Sequence, residues 1–395
     1  MECAYHRSGA CRSCTWIARP YAEQVAAKQD AVVRALAAAG VTGAEGIAWL
    51  PPATSAPAGF RTKAKMAVGG TTDRPTLGVL DAELRGVDLS ACPIMAPPLT
   101  GAMPGLSRFI RRTGLLPYDV PRRRGELKYI LATCADDGAL LIRFVLRSRR
   151  QLGTLRRGLP LLRELVPGAT VVTANIHPTH EAIIEGPEEV VLTDAATLPM
   201  PVGDVVLRVG PRSFTQTNTA VASQLYRQAS AWLTGRAPAG GTDGAAPGAP
   251  RELWDLYCGV GGFALHAASA GVPAVTGIEI SGQAIDSARE AAAGLGLAPE
   301  AVRFVAADAT RWARSQGRAP DAVVVNPPRR GIGEDLARWL DGSGVARVVY
   351  SSCFPATLAS DLAAMPRLRP VSARLFDMFP HTAHTEVAVL LRRAA

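Results

Sequence analysis

Two spacings of apolar residues divide this chain. From about Gly59 to Leu207 apolar and polar positions alternate with the period of two that strands require, most clearly in Lys65-Met-Ala-Val-Gly, Leu140-Leu-Ile-Arg-Phe-Val-Leu and Thr170-Val-Val-Thr-Ala-Asn-Ile. This stretch is expected to form a mostly antiparallel domain. Later, the apolar runs Leu253-Trp-Asp-Leu-Tyr, Ala274-Val-Thr-Gly-Ile-Glu-Ile, Val302-Arg-Phe-Val, Ala322-Val-Val-Val-Asn and Arg347-Val-Val-Tyr-Ser-Ser alternate with helically spaced segments, the signature of a doubly wound parallel sheet. Tyr21 to Ala39 carries Ala, Val and Leu on one helical face and stops at Gly40, Val221 to Leu233 reads as a second helix, and Gly235 to Pro250 is Gly, Ala and Pro without periodicity, a flexible insertion or linker. The expected division is a cysteine-bearing segment 1–17, a helical segment 18–50, a β-rich domain 51–234, the insertion 235–250 and an α/β domain 251–395.

Composition adds a class and a partner. A chain of 395 residues with 48% hydrophobic content supports two or three domains. No run of eighteen apolar residues occurs, and the start has no apolar stretch that would serve as a signal peptide, so a cytoplasmic protein with no membrane partner is expected, and with no coiled-coil or exposed heptad pattern a monomer. The net charge of +9 is concentrated: residues 101–170 hold fourteen Arg and Lys against five Asp and Glu, which is +9 by itself. Arg111-Arg112, Arg122-Arg123-Arg124 and Arg147 to Arg150 dominate that segment, and guanidinium forks suit phosphate oxygens, which makes nucleic acid the natural partner. A solvated basic face is the plainer alternative, since only four of the 43 basic residues are Lys.

Candidate chemistry begins at the strand ends. Asp255-Leu-Tyr257-Cys-Gly-Val-Gly-Gly-Phe263 takes a strand into a glycine-rich turn and then a helix, so the backbone can approach a nucleotide-like ligand. Glu279 ends the next strand, placed to accept hydrogen bonds from ribose hydroxyls, and Asp308 follows the third, where a carboxylate meets an adenine amino group. The glycines are not spaced for pyrophosphate, and no phosphate-cradling Lys follows. The series resembles the class I S-adenosylmethionine-dependent methyltransferases, a Rossmann-like fold; a dinucleotide dehydrogenase is the alternative. The fourth strand ends in Asn326-Pro-Pro-Arg329-Arg-Gly331, with Arg329 where methyltransferases of exocyclic amines carry an aromatic.

Carbon 5 of a pyrimidine is too poor a nucleophile to take a methyl group until a thiolate has added to carbon 6. Cys353, in Tyr350-Ser-Ser-Cys-Phe-Pro-Ala-Thr357, is the candidate thiol, and Glu386 the candidate base for the carbon-5 proton, with Asp377 and His381 as alternates. The plainer reading of Cys353 is a buried thiol at a strand end, the reading that suits Cys134 and Cys258. Cys3, Cys11, Cys14 and Cys92 form a separate set whose spacing fits either tetrahedral zinc or an iron-sulfur cluster.

Ser351-Ser-Cys353-Phe-Pro-Ala-Thr-Leu-Ala, Phe376-Asp-Met-Phe-Pro-His-Thr-Ala-His-Thr-Glu386, Asn326-Pro-Pro-Arg-Arg-Gly and Ser213-Phe-Thr-Gln216-Thr-Asn218 together resemble the RNA uracil-C5 methyltransferases, nearly end to end. The resemblance implies Cys353 as nucleophile, Glu386 as base, and S-adenosylmethionine contacts from Gln216, Tyr257, Glu279 and Asn326. It also implies a [4Fe-4S] cluster held by Cys3, Cys11, Cys14 and Cys92, and a helix at 21–39 that packs on the catalytic domain. The chain departs from the family at Asn326, often an acid, and at Phe354, often Asn. The absence of an extra N-terminal β-barrel, with Arg124-Gly-Glu-Leu-Lys-Tyr-Ile, is most similar to members that act on 23S rRNA. A tRNA enzyme, which would lack the four-cysteine set, and a non-catalytic RNA-binding factor are the competing readings.

Overall fold

A computed structural model describes residues 1–181, 183–235 and 249–394, so most of the expected 235–250 insertion lies outside the described residues. The chain forms two compact units, one of Met1–Cys14 with Ala56–Met200 and one of Thr15–Ser55 with Pro201–Ala395.

The second unit is built on a sheet whose strands are β1 (Ala48–Trp49), β2 (Glu252–Leu256), β3 (Ala274–Glu279), β4 (Val302–Ala306), β5 (Ala322–Val325), β6 (Arg347–Ser352), β7 (Leu368–Leu375) and β8 (Val387–Arg393). Their spatial order is β1-β7-β8-β6-β5-β2-β3-β4. All pairings are parallel except those of β8, which runs antiparallel to β6 and β7. Strand order reverses at β2, flanked by β3 and β5, so the carboxyl ends of these three strands open the crevice where doubly wound sheets bind ligands. β5 is Val-rich and buried along its whole length because helices cover both faces of a parallel sheet.

The helices of this unit are α1 (Tyr21–Ala38), α2 (Thr219–Thr234), α3 (Gly262–Ser269), α4 (Gly282–Gly294), α5 (Ala309–Ser315), α6 (Gly333–Gly342) and α7 (Pro355–Ala363). α1 buries Val25, Lys28, Val32 and Leu36, three to four residues apart on one face, and packs on α7. The β-rich domain was expected to run to residue 234, whereas the first unit ends at Met200. The strand Val205–Val209 packs on α4 and α2 packs on α3, so their apolar faces are satisfied within the second unit.

The first unit holds a seven-stranded sheet: Lys63–Gly70, Pro75–Leu80, Gly86–Asp88, Leu127–Cys134, Leu140–Leu146, Ala169–Ile176 and Glu188–Val191. Its pairings are antiparallel except that Leu140–Leu146 runs parallel to Ala169–Ile176, joined by the helix Leu152–Leu165. That helix and Pro97–Thr113 cover one face and bury Leu99, Met103, Leu106, Phe109, Leu155 and Leu162 against it. No helix among the described residues is long and apolar enough to cross a membrane.

Candidate active site

The turn after β2 is under backbone constraint. Tyr257 has φ 67°, in the left-handed region that aromatic residues seldom adopt, and Gly261 has φ 86°. Such strain persists where the surroundings over-determine it, commonly at ligand sites. Gly262 is irreplaceable for a different reason: a Cβ there would lie 2.6 Å from the Tyr226 ring.

Glu279, at the end of β3, clasps this turn: one carboxylate oxygen accepts from Gly259 N at 3.3 Å and the other from Ser281 N at 3.0 Å. Asp308 is exposed and caps α5 by accepting from Arg311 N at 2.8 Å. The Tyr257 phenol is pushed up by burial and eased by a hydrogen bond with Thr310. Asn326 is half-buried, its N–H donating to Leu256 O at 3.4 Å, and Gln216 is buried in the segment leading to α2. These residues lie at the carboxyl edge of one sheet or in the same unit as it.

Asp255, which opens the turn motif, is fully buried; one carboxylate oxygen accepts from Ala264 N at 2.9 Å and the other has no partner among the described residues. Burial pushes its pKa up to about 8, so the fold holds it as a neutral acid that ties β2 to α3.

Cys353 and Glu386 come together through strand pairing. Ser352 on β6 sits opposite Val387 on β8, and each candidate residue lies one position beyond that pair. Glu386 is completely enclosed and accepts from Ser351 Oγ at 2.7 Å; burial pushes its pKa up to about 7, against the lowering effect of that hydrogen bond. The half-buried Cys353 thiol is pushed above its ordinary value by burial first and by the Glu386 charge second, while Arg329 draws it down by charge and hydrogen bond. Thiol and carboxylate therefore feel each other.

Arg329 is the residue the sequence reading passed over, noted only as the absence of an aromatic. Beyond its bond to Cys353, its guanidinium meets His384 Nδ1 at 2.9 Å and stands 5.8 Å from the centre of the Phe354 ring, and its carbonyl accepts from Thr357 Oγ1 at 3.1 Å. A fixed cation beside the candidate thiol is what a thiolate needs.

The alternate base Asp377 is committed elsewhere. Lys28 Nζ donates to Asp377 Oδ1 at 2.5 Å and to Phe379 O at 2.9 Å, with both side chains of the pair fully buried. Gln24 accepts from His381 N at 2.7 Å and donates to Trp16 O and Arg19 O, so the polar positions of α1 hold the segment that leads to Glu386. Removing one partner of a buried ion pair leaves an uncompensated charge. Lys28→Met should therefore cost about 3–5 kcal/mol in chemical denaturation, and Lys28→Met with Asp377→Leu should recover most of it.

The four-cysteine set lies in the first unit. Cys3 precedes the short helix Ala4–Arg7, and Tyr5 of that helix accepts from Ala91 N at 3.1 Å, which fixes the chain start beside Cys92. The Cys14 thiol is pushed up to about 11 by burial and by Cys92, Cys11 and Cys3, so the four thiols share one field. Among the described residues no group of three or more His, Cys, Asp or Glu side chains is drawn together as a metal site. Cys134 and Cys258 are buried, their thiols pushed up by burial.

Sequence relatives bear on this geometry. The family described as tRNA (Uracil-5-)-methyltransferase matches residues 194–394. The 23S rRNA (uracil(747)-C(5))-methyltransferase RlmC of Halothiobacillus neapolitanus is 47% identical over 397 residues, covering 100% of each chain. The chain belongs to the RNA uracil-C5 methyltransferase family. Its Salmonella newport relative, also named RlmC, is 45% identical over 100% of both chains. In fold, the tRNA (uracil-54, C5)-methyltransferase of Pyrococcus abyssi, solved with S-adenosyl-L-homocysteine, aligns with a TM-score of 0.75 at 23% identity, covering 96% of this chain and 85% of that one. The unit around β2 to β8 thus has the class I S-adenosylmethionine-dependent methyltransferase fold, and S-adenosylmethionine is the methyl donor of this enzyme class.

Proposed function

We propose that the protein methylates carbon 5 of a uridine in 23S rRNA, the one that corresponds to U747 in the names of its full-length relatives. The observation that carries the mechanism is the pairing of Ser352 with Val387, which brings a half-buried thiol and an enclosed, protonatable carboxylate to adjoining strand ends. The Cys353 thiolate adds to C6 of the uracil, and the C5=C6 electrons move toward C5 and the C4 carbonyl. Carbon 5 then attacks the sulfonium methyl group, releasing S-adenosylhomocysteine. Glu386, as carboxylate, takes the proton from C5, and the electrons of that C–H bond restore C5=C6 as the thiolate leaves. Arg329 stabilises the thiolate before attack and after expulsion. The target base must leave its stack to meet the thiol.

The donor is held in the same reading by the β2 turn with Tyr257, by Glu279 and Asp308, and by Gln216 and Asn326. The constrained turn and its clasp by Glu279 support that assignment. Deleting the gene and mapping 5-methyluridine in 23S rRNA tests the substrate: loss at one position restored by the wild-type protein is expected, and an unchanged map with loss in tRNA would favour the tRNA reading.

RNA is held in this proposal by the first unit. Several of its cations are already paired: Arg143 is fully buried against Glu185 and Glu189, Arg112 meets Glu164, Arg122 meets Asp119, Arg147 meets Glu126 and Arg149 meets Glu188. Arg111, Arg123, Arg124, Arg150, Arg156 and Arg157 remain exposed without a carboxylate partner among the described residues, and they supply the phosphate contacts. Binding should fall linearly on a log–log plot against salt, with the slope reduced by about one for each of these residues that contacts a phosphate when it is changed to Ala. A flat plot would contradict this assignment.

Cys3, Cys11, Cys14 and Cys92 hold a [4Fe-4S] cluster in this reading. Besides burial, the Cys14 thiol is raised by Cys92, Cys11 and Cys3 and the Cys92 thiol by Cys11 and Cys3, so the set has the number and chemistry of a tetrathiolate site whose charges a metal would balance. The cluster would fix the chain start to the Cys92 loop, since methyl transfer needs no electrons. Anaerobically purified protein is expected to be brown, with visible absorption lost in Cys14→Ser; colourless, zinc-loaded protein would contradict the cluster.

A further inference from the structure

The first unit contains a cavity of about 380 Å³ that none of the assignments above uses, lined by Ala67, Leu80, Leu84, Tyr118, Lys128 and Tyr129 among others. Two strained turns flank it. In the Asp81–Arg85 turn Leu84 is held at φ 60°, a conformation costly for leucine, yet is 46% exposed. The turn is built to keep it there: Asp81 Oδ1 accepts from Glu83 N at 3.0 Å and Arg85 N at 2.8 Å, and Asp81 Oδ2 accepts from Arg85 Nε at 3.1 Å. In the Pro117–Gly125 loop, closed by the Asp119 and Arg124 bridge, Arg123 stands at φ 52°. An apolar side chain strained into an exposed position at a cavity mouth points to a ligand.

The lining decides the class of ligand. Lys128 is buried, and its ammonium is spent on His177 O at 3.0 Å and Thr179 O at 2.5 Å and lies 5.1 Å from the Tyr118 ring, so it offers no free charge to an anion. The Tyr118 hydroxyl is taken by His180 Nδ1 at 3.0 Å. The half-buried Tyr129 hydroxyl has no hydrogen-bond partner among the described residues. What the cavity offers is therefore aromatic and aliphatic walls, one free phenol, the Glu181 carboxylate, which can accept from a ring or amino N–H of a base, and a rim loop that carries the unpaired Arg123 and Arg124. Its volume is near the lower end of the ~300–1,000 Å³ of ligand pockets. That combination suits a flat, uncharged ring flanked by phosphates.

Resting on the RNA reading above, we propose that this cavity receives one unpaired nucleobase of the RNA substrate, separate from the uridine that is methylated. The base packs between Leu84 and the tyrosines with its edge at the Tyr129 hydroxyl, and its flanking phosphates meet Arg123 and Arg124. Such a contact reads a single-stranded loop, the part of an RNA that proteins recognise by stacking.

The test uses the full-length protein and a stem-loop fragment of 23S rRNA. Substituting 4-thiouridine at each loop position in turn, with near-ultraviolet irradiation, is expected to crosslink one position other than the methylated uridine to the peptide that spans Tyr118–Tyr129. Leu84→Asp lies at an exposed site where Asp tolerates the positive φ, and should weaken RNA binding about tenfold or more, with S-adenosylmethionine binding and the melting temperature unchanged. An abasic nucleotide at the crosslinked position should weaken wild-type binding similarly and add nothing further in Leu84→Asp. If the wild type methylates the RNA but no such crosslink forms, or the two losses add in full, the cavity proposal is overturned and the methyltransferase reading stands. If the wild type methylates no rRNA, that reading fails and the cavity proposal falls with it.

Discussion

Cys353→Ala should lower uridine methylation by about 10⁴-fold or more, because no other group is placed to activate C5, and it should leave S-adenosylmethionine binding unchanged. The size follows from the chemistry: without addition at C6, carbon 5 has no enolate character, and positioning the methyl donor cannot substitute for it. Single-turnover assays with radiolabelled donor measure the chemical step directly, and equilibrium dialysis measures the donor. A variant that retained a tenth of the rate would mean that the methyl group goes to an atom that needs no nucleophile. Arg329→Met supplies a graded companion: it keeps the thiol but removes its cation, so the rate should fall less and the pH at which it reaches half its maximum should rise.

Glu386→Gln should separate the two halves of the reaction. Addition and methyl transfer need no carboxylate, whereas removal of the C5 proton does. Turnover should drop about 10²–10⁴-fold while a methylated, covalent protein–RNA complex accumulates, visible as a shifted band on denaturing gels. The pH dependence has a definite sign. The folded-state pKa of Glu386 is raised from its ordinary 4.5 to about 7, so the fold favours the neutral acid. The base form appears as pH rises through about 7, and with it turnover; enclosing that charge also costs stability over the window from 4.5 to about 7. The thiol of Cys353 is likewise raised, so wild-type activity should climb through neutral pH and continue above it. In Glu386→Gln, adduct formation should follow the thiol alone. Normal turnover in this variant would move the base to another group, and Asp377 is a poor candidate while Lys28 holds it.

The catalytic sheet was legible because parallel strands covered on both faces become nearly continuous apolar runs, as in Ala322-Val-Val-Val and Arg347-Val-Val-Tyr. β8 was less visible: it follows directly on Glu386, and its inclusion between β6 and β7 is a long-range pairing that no local pattern announces. The helices Pro97–Thr113 and Leu152–Leu165 were hidden by their own breakers, Pro104 with Gly101 and Gly105 in one and Pro160 with Gly153 and Gly158 in the other. Their apolar faces outweigh the lost backbone bonds once they cover the sheet.

At the site, residue types and order were readable, but partnerships were not. Cys353 and Glu386 are thirty-three positions apart, and only the β6–β8 register makes them neighbours. Arg329 read as a missing aromatic because its distance from Cys353 exists only in three dimensions. The basic stretch of 101–170 was read as one face, yet Arg143 on its strand is fully buried and spent on Glu185 and Glu189, which charge counting along a sequence cannot detect. Asp255 was read as part of a turn motif, and only its complete burial marks it as a neutral acid.

The central claim is a covalent bond between Cys353 and C6 of a uridine during transfer of a methyl group to C5. It is tested most directly with 23S rRNA fragments that carry 5-fluorouridine at the target position. Fluorine cannot leave C5 as a proton does, so the intermediate persists. Digestion with nuclease and protease followed by tandem mass spectrometry should find one nucleotide, fluorinated and methylated at C5, attached to the peptide containing Cys353. Efficient methylation of the natural RNA with no such adduct, or an adduct on another residue, would contradict the account.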